Sequence, residues 1–227
     1  MYKAIFFDRD GTLTYFTKEK ECWRDETIRK WSGKPFLLSY EKMMALFRQA
    51  AEGKTPWYTD LEEERRFFRR YYRYLLIGEG VTVDTEERAE RLFSELWCNG
   101  DRALFPEVKE VLAYGKAHGY QMGVISDTSP SLEYTLRQLG IAGYFTSFTA
   151  SSLVGAGKPD PVIYRAALQA QGVAAEESIY VDDTEEEADG ARKLGFTSFY
   201  LDRSKQKTGR WIIDDLRNII DFLENNG

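Results

Sequence analysis

The chain has 227 residues, 43% of them hydrophobic, and a formal net charge of −6 at pH 7. That length suits one large domain or a core domain carrying a smaller insertion, and disorder is not the expectation. The acidic balance disfavours nucleic acid as a partner, because phosphate-backbone binding draws its affinity from Lys and Arg.

No apolar run approaches the roughly 20 residues that span a bilayer, and the first residues lack the basic and apolar regions of a signal peptide. A soluble, cytoplasmic protein with no membrane partner is expected. Cys22 and Cys98 belong to no CxxC or Cys/His cluster and read as free thiols.

The first predicted element is a buried strand, Ala4–Phe7, followed at once by Asp8-Arg9-Asp10-Gly11-Thr12. Residues 14–97 then hold no convincing buried strand but three helical patterns, at 39–51, 61–77 and 85–97, and read as an inserted helical domain. The expected division is a core of residues 1–13 and 99–227 with a helical cap at 14–98. Asn99-Gly100-Asp101 and the residues after Leu13 carry turn chemistry suited to hinges. Within the insert, Arg65, Arg66, Arg69, Arg70 and Arg73 follow Glu62, Glu63 and Glu64, a pattern that reads as a solvated face with i, i+4 pairs such as Glu62 with Arg66. Phe67, Phe68, Tyr71, Tyr72 and Tyr74 read as packing.

Beyond the insert, apolar runs at 122–125, 145–149, 179–181 and 198–201 alternate with helical patterns at 107–117, 131–139, 161–170, 185–194 and 212–223. His118 falls near a helix end. Strands alternating with helices predict an α/β fold, a parallel sheet covered on both faces.

Ligands of such sheets bind outside the carboxyl ends of the strands. Asp8 and Asp10 follow the first strand, and Ser126, Asp127 and Thr128 follow the run at 122–125, where a hydroxyl and amides can hold phosphate oxygens. Lys158 stands in Gly157-Lys158-Pro159-Asp160-Pro161, and Asp182 and Asp183 follow the run at 179–181. Four carboxylates converging on one sheet edge repel one another without a cation. Oxygen-only ligands favour Mg²⁺ over zinc. Taken singly, these residues have plainer readings: Asp8 as a turn residue, Ser126 as a helix cap in competition with Asp127 and Thr128, Lys158 as a solvated charge, Asp182 as the cap of the next helix.

The ordered set FFDRDGTLT, VISDTS, GKPDPVIY and YVDDTEEEADGARKLGF resembles the four signature motifs of the haloacid dehalogenase superfamily, and LFPEVKEVLAYGKAHGYQMGVIS resembles the helix and strand before the second motif. The resemblance implies a Rossmann-like doubly wound core with an inserted α-helical cap. It also implies Asp8 as nucleophile, Asp10 as general acid/base, and phosphate binding at Ser126, Asp127 and Lys158. Mg²⁺ would be held by Asp8, the backbone carbonyl of Asp10 and Asp183, with Asp182 as a further candidate.

The activity so implied is hydrolysis of a small soluble phosphomonoester through an aspartyl phosphate. Alternatives are a sugar phosphomutase, which in this family usually has Asp where this chain has Tyr15, a dehalogenase, whose members lack an acid at the position of Asp10, and a binding protein that keeps the fold without turnover. The natural substrate and the oligomeric state are not written in the sequence.

Overall fold

The computed structural model describes residues 1–54, 56, 58–98 and 101–226. Asn99 and Gly100, expected at the second hinge, lie outside the described residues. In chain order the elements are β1 (Ala4–Phe7), β2 (Thr14–Phe16), α1 (Glu19–Ser32), α2 (Tyr40–Ala50), α3 (Leu61–Gly78), α4 (Thr85–Leu96), β3 (Arg102–Leu104), α5 (Val108–Ala117), β4 (Gln121–Ser126) and α6 (Leu132–Gln138). They continue with β5 (Ser147–Ala150), α7 (Ser151–Val154), α8 (Pro161–Gln171), β6 (Ser178–Asp182), α9 (Glu185–Lys193), β7 (Thr197–Leu201), β8 (Ile212–Ile213) and α10 (Asn218–Asn226).

The chain divides into two compact units, Met1–Tyr15 with Ala103–Gly227, and Phe16–Arg102. In the first, six strands form one parallel sheet in the order β5-β4-β1-β6-β7-β8. β1 lies inside the sheet, and its alternation decides what covers each face. Ile5 and Phe7 pack with Leu112, Leu136 and Ile219 from α5, α6 and α10, whereas Ala4 and Phe6 pack with Ile163, Tyr164 and Ala191 from α8 and α9. Helices thus cover both faces, the arrangement of a Rossmann-like doubly wound α/β fold. Each fully buried side chain of this size contributes roughly 1.5–3 kcal/mol. β2 and β3 form a separate two-stranded sheet.

The second unit is helical. Ser39 and Asp60 cap α2 and α3 by accepting the amides of Lys42 at 3.2 Å and Glu63 at 2.8 Å. Its core gathers Ile28, Leu46, Phe67, Tyr71, Leu75, Leu76 and Leu92. The helix α1 was not expected, because its sequence shows no clean stripe: only Ile28 is buried apolar surface, with Trp23 and Trp31 packed beside it. Its fold rests on those contacts and on the left-handed stop at Gly33, φ 69°.

The helical pattern expected at 212–223 is corrected. Ile212 and Ile213 pair in parallel with Tyr200 and Leu201 as an edge strand. Asn218 Oδ1 then accepts the amides of Asp214 at 3.3 Å and Asp215 at 3.1 Å, turning the chain into α10. Two β-branched residues ahead of two aspartates suit a strand and turn better than a helix start. Among the described residues no helix is long and apolar enough to cross a membrane.

Candidate active site

Register brings the expected residues to one edge. Phe7 stands opposite Val124 of β4 and Val181 of β6, so Asp8, Ser126 and Asp182 emerge together at the carboxyl ends of adjacent strands. Asp8 continues β1 by donating its amide to the Val181 carbonyl at 2.9 Å, and it is buried. The chain then reverses sharply: the amides of Leu13 and Thr14 both reach the Arg9 carbonyl, at 2.9 and 2.8 Å, and Gly11 donates to the Thr14 carbonyl at 2.7 Å. Gly11 has φ +86°, and a Cβ there would lie 1.9 Å from Asp183 Oδ2, so only glycine lets this turn pass beside that carboxylate.

Lys158 is a buried cation shared by three acids of the site. Its Nζ lies 2.7 Å from Asp8 Oδ1, 2.8 Å from Asp182 Oδ2 and 2.7 Å from Glu187 Oε2, with the lysine side chain 2% exposed. Asp182 is fully enclosed: Tyr180 also donates its hydroxyl to Oδ2, and the Thr184 amide donates to Oδ1 at 2.8 Å. Asp182 is not the cap of α9, whose N-cap is Thr184 without a side-chain cap bond; it holds the loop ahead of that helix and anchors Lys158.

The charge balance is tight. Burial pushes the Asp8 carboxyl up to about 8 against the pull of Lys158, with Asp182 adding to the rise. Glu187 is pushed up to about 7 by burial, again opposed by Lys158. Asp183, the most open of the acids, is raised to about 6 by partial burial of its carboxyl and by Asp182. For Lys158 burial acts downward, but Asp8, Asp182 and Glu187 outweigh it and hold the ammonium well above its usual range. Burial and Asp182 likewise keep the Tyr180 hydroxyl protonated.

Asp10 accepts from Arg9 Nη2 at 2.7 Å and from Thr14 Oγ1 at 2.8 Å, which fixes its carboxylate from two sides. Asp127 accepts the backbone amide of Lys158, at 3.0 and 3.2 Å to its two oxygens, so its carboxylate is turned onto the lysine loop. Ser126 ends β4, buried and opposite Ala150. The helix α6 begins only at Leu132, after Ser131, so none of Ser126, Asp127 and Thr128 occupies its N-cap. Of the amides after β4, that of Thr128 donates to Ser151 Oγ at 3.0 Å.

One oxygen from each of Asp8, Asp182 and Asp183 lies within 4.8 Å of the other two. The donor set is carboxylate only, which matches a hard divalent cation. Sequence reasoning missed Glu187, Tyr180 and Thr14. Glu187 had a signal, since it stands four residues after Asp183 at the start of α9, one turn along the same side. Tyr180 and Thr14 carried none apart from their neighbours.

In the helical unit the arginines are paired. Arg69 meets Glu90 at 2.8 Å and Arg73 meets Glu86, both across α3 and α4, while Arg65 and Arg66 flank Glu62 at 3.8 Å. Phe67, Phe68, Tyr71 and Tyr72 form edge-to-face and tilted ring contacts with one another and with Phe47. At the end of α5, the His118 ring stacks on Tyr114 with centroids 4.0 Å apart.

A doubly wound sheet thus carries acids and a buried lysine at its carboxyl edge, and the sequence supplies the class. The profile of the haloacid dehalogenase-like hydrolases matches residues 2–195, and the chain belongs to that family. A Mycobacterium tuberculosis protein named as a phosphatase is 25% identical over 228 residues, covering 99% of this chain and 98% of its own. The glyceraldehyde 3-phosphate phosphatase of Methanocaldococcus jannaschii is 24% identical over 235 residues, covering 99% and 98%. Among solved structures, a 2-haloacid dehalogenase from Pseudomonas syringae superposes with a TM-score of 0.71 at 22% identity over 100% of both chains. A phosphatase of this family from Thermococcus onnurineus gives 0.63 at 21% identity over 97% of each. These two share the fold.

Proposed function

We propose that this protein is a Mg²⁺-dependent phosphatase that hydrolyses a small soluble phosphomonoester in the cytoplasm through an aspartyl phosphate on Asp8. The observation that carries the reading is the buried Asp8–Lys158 pair, 2.7 Å apart, with Asp10 fixed two residues further on at the same sheet edge. Relatives named as phosphatases along nearly the whole chain support it.

Asp8 attacks phosphorus in line; its oxygen–phosphorus bond forms as the bond to the leaving oxygen breaks, and Asp10 supplies the proton to that oxygen. Asp10 then takes a proton from water, which attacks the same phosphorus and releases inorganic phosphate and the free Asp8 carboxylate. Lys158 and Ser126 hold the phosphoryl oxygens. Asp127 acts through the lysine loop whose amide it accepts, because a carboxylate against phosphoryl oxygens would repel them.

The acids fit Mg²⁺: the clustered donors of Asp8 and Asp183 are oxygen, and the backbone carbonyl of Asp10 would join them in holding the ion. Both oxygens of Asp182 already accept hydrogen bonds, so its main task here is to anchor Lys158. Bound Mg²⁺ supplies positive charge to the transferring oxygens. The helical unit is read as the cap that selects substrate.

The presence of Asp10, an acid suited to protonating an alkoxide, favours phosphoryl transfer over displacement of halide, which needs no proton. Inorganic phosphate release from an aryl phosphate and from a panel of metabolite phosphates, with and without Mg²⁺, tests the reading. Release of halide from a 2-haloacid with no phosphate release from any ester would reject it.

A further inference from the structure

Arg203 lies two residues beyond β7 and has no place in the reaction described above. Its loop is nonetheless built to hold it still. Asp202, 4% exposed, accepts the amides of Ser204 at 3.1 Å, Gln206 at 2.8 Å and Lys207 at 2.7 Å. From that fixed base the guanidinium crosses the end of β6 to the turn after β1. Nε donates to the Gly11 carbonyl at 2.9 Å and Nη2 to the Thr12 carbonyl at 2.6 Å. Nη1 stands 2.7 Å from Glu107 Oε1, an ion pair without an aligned N–H, and the guanidinium carbon sits 3.4 Å from the centre of the Phe105 ring. Phe105 in turn donates its amide to the Leu13 carbonyl at 3.2 Å.

Every part of the guanidinium is thus engaged, and every partner is on the turn that carries the two catalytic aspartates or on the segment packed against it. Two adjacent carbonyls held by one rigid fork fix the relative orientation of the consecutive Gly11–Thr12 and Thr12–Leu13 peptides, which a single ammonium cannot do. The backbone at Gly11 passes so close to Asp183 that a Cβ there would overlap its carboxylate. The same turn ends at Thr14, whose hydroxyl orients Asp10.

We propose that Arg203 is a positioning residue of the active site: by clamping the Gly11 and Thr12 carbonyls against Glu107 and Phe105, it sets where Asp8 and Asp10 stand relative to Asp183. A small displacement of reacting groups is costly, about 10²-fold in rate for roughly 1 Å. Its effect is expected on kcat, since the guanidinium is already taken up by Gly11, Thr12, Glu107 and Phe105. The inference rests on the phosphatase reading for its rate consequence, but the clamp itself has a readout independent of turnover.

The experiment compares full-length parent, Arg203→Ala and Arg203→Lys in two measurements. Aryl phosphate hydrolysis with saturating Mg²⁺ is expected to show kcat lowered about tenfold or more with KM nearly unchanged. Arg203→Lys should not restore it, and millimolar methylguanidinium should recover part of it in Arg203→Ala but not in Arg203→Lys. Amide hydrogen exchange is expected to quicken selectively at residues 11–14 while β4 and β6 keep the parent's protection. If the parent itself hydrolyses no phosphate ester, the functional reading fails and the exchange result alone decides the clamp. Parent-like exchange at 11–14, or exchange that quickens equally across the sheet, overturns the proposal, as does kcat within twofold of a parent that is active. Should Arg203→Ala not fold, Arg203→Lys carries both measurements with the same outcomes.

Discussion

Lys158 and Asp182 form a buried ion pair, 2.8 Å from Nζ to Oδ2, with side chains 2% and 0% exposed. The same ammonium serves Asp8 and Glu187, so one largely buried cation offsets three acids. Replacing it with methionine keeps much of the volume and strands those carboxylates. Removal of one partner of a buried pair costs about 3–5 kcal/mol. Lys158→Met should lose that much in urea unfolding at pH 8 and less at pH 5, where Asp8 and Glu187 can take up protons instead. An equal loss at both pH values would contradict the arrangement.

The raised acids set a pH dependence for the metal-free protein. Asp8 moves from an ordinary 3.8 to about 8, Asp183 from 3.8 to about 6 and Glu187 from 4.5 to about 7. Between each pair of values the folded state holds a proton that the unfolded state has released. Stability then falls as pH rises. The Tm of metal-free protein should therefore decline from about pH 4 toward pH 8, and Mg²⁺ should flatten the decline by favouring the ionised acids. A Tm that climbs across this range without metal would reverse the sign and refute the account.

Gly11 is held at φ +86° beside Asp183. Alanine there meets both a strained backbone and the carboxylate, so Gly11→Ala should cost about 1–3 kcal/mol and displace Asp183. The expected result is a lowered Tm together with a weaker rise in Tm on adding Mg²⁺. A variant whose Mg²⁺ response matches the parent would mean that the close approach has no bearing on the metal.

Asp10→Asn removes the proton needed by a basic leaving group. Phosphorylation of Asp8 by alkyl phosphates should slow severely, while aryl phosphates with acidic phenols lose less, so the penalty should rise with leaving-group pKa. Rapid-mixing assays over a graded series, at saturating Mg²⁺, measure this. Equal penalties along the series would leave Asp10 a structural or metal-positioning role.

Much of the site was legible because its residues sit where an apolar run stops. Asp8 follows Ala4–Phe7 and Asp183 follows β6, and parallel strands in register must deliver their ends to one edge. The fold followed from the same alternation of apolar runs and helical stripes. What was hidden depends on long-range packing. Arg203 lies 191 residues from Thr12, whose carbonyl it holds. Tyr180 looks like any core aromatic until its hydroxyl is seen on Asp182. α1 escaped notice because a helix with so few buried apolar residues has no periodic signature, and β8 because a strand of two residues is too short to show alternation.

The central claim is that phosphorus passes through a covalent bond to Asp8. Reaction of the Asp10→Asn protein with an aryl phosphate and Mg²⁺, quenched with borohydride, should reduce the acyl phosphate and convert Asp8 to homoserine. Peptide mass spectrometry reads this directly. Homoserine is expected at position 8 only when both substrate and Mg²⁺ were present. An unaltered Asp8 in protein that has released the phenol, or the reduction mark on any other residue, would contradict the claim.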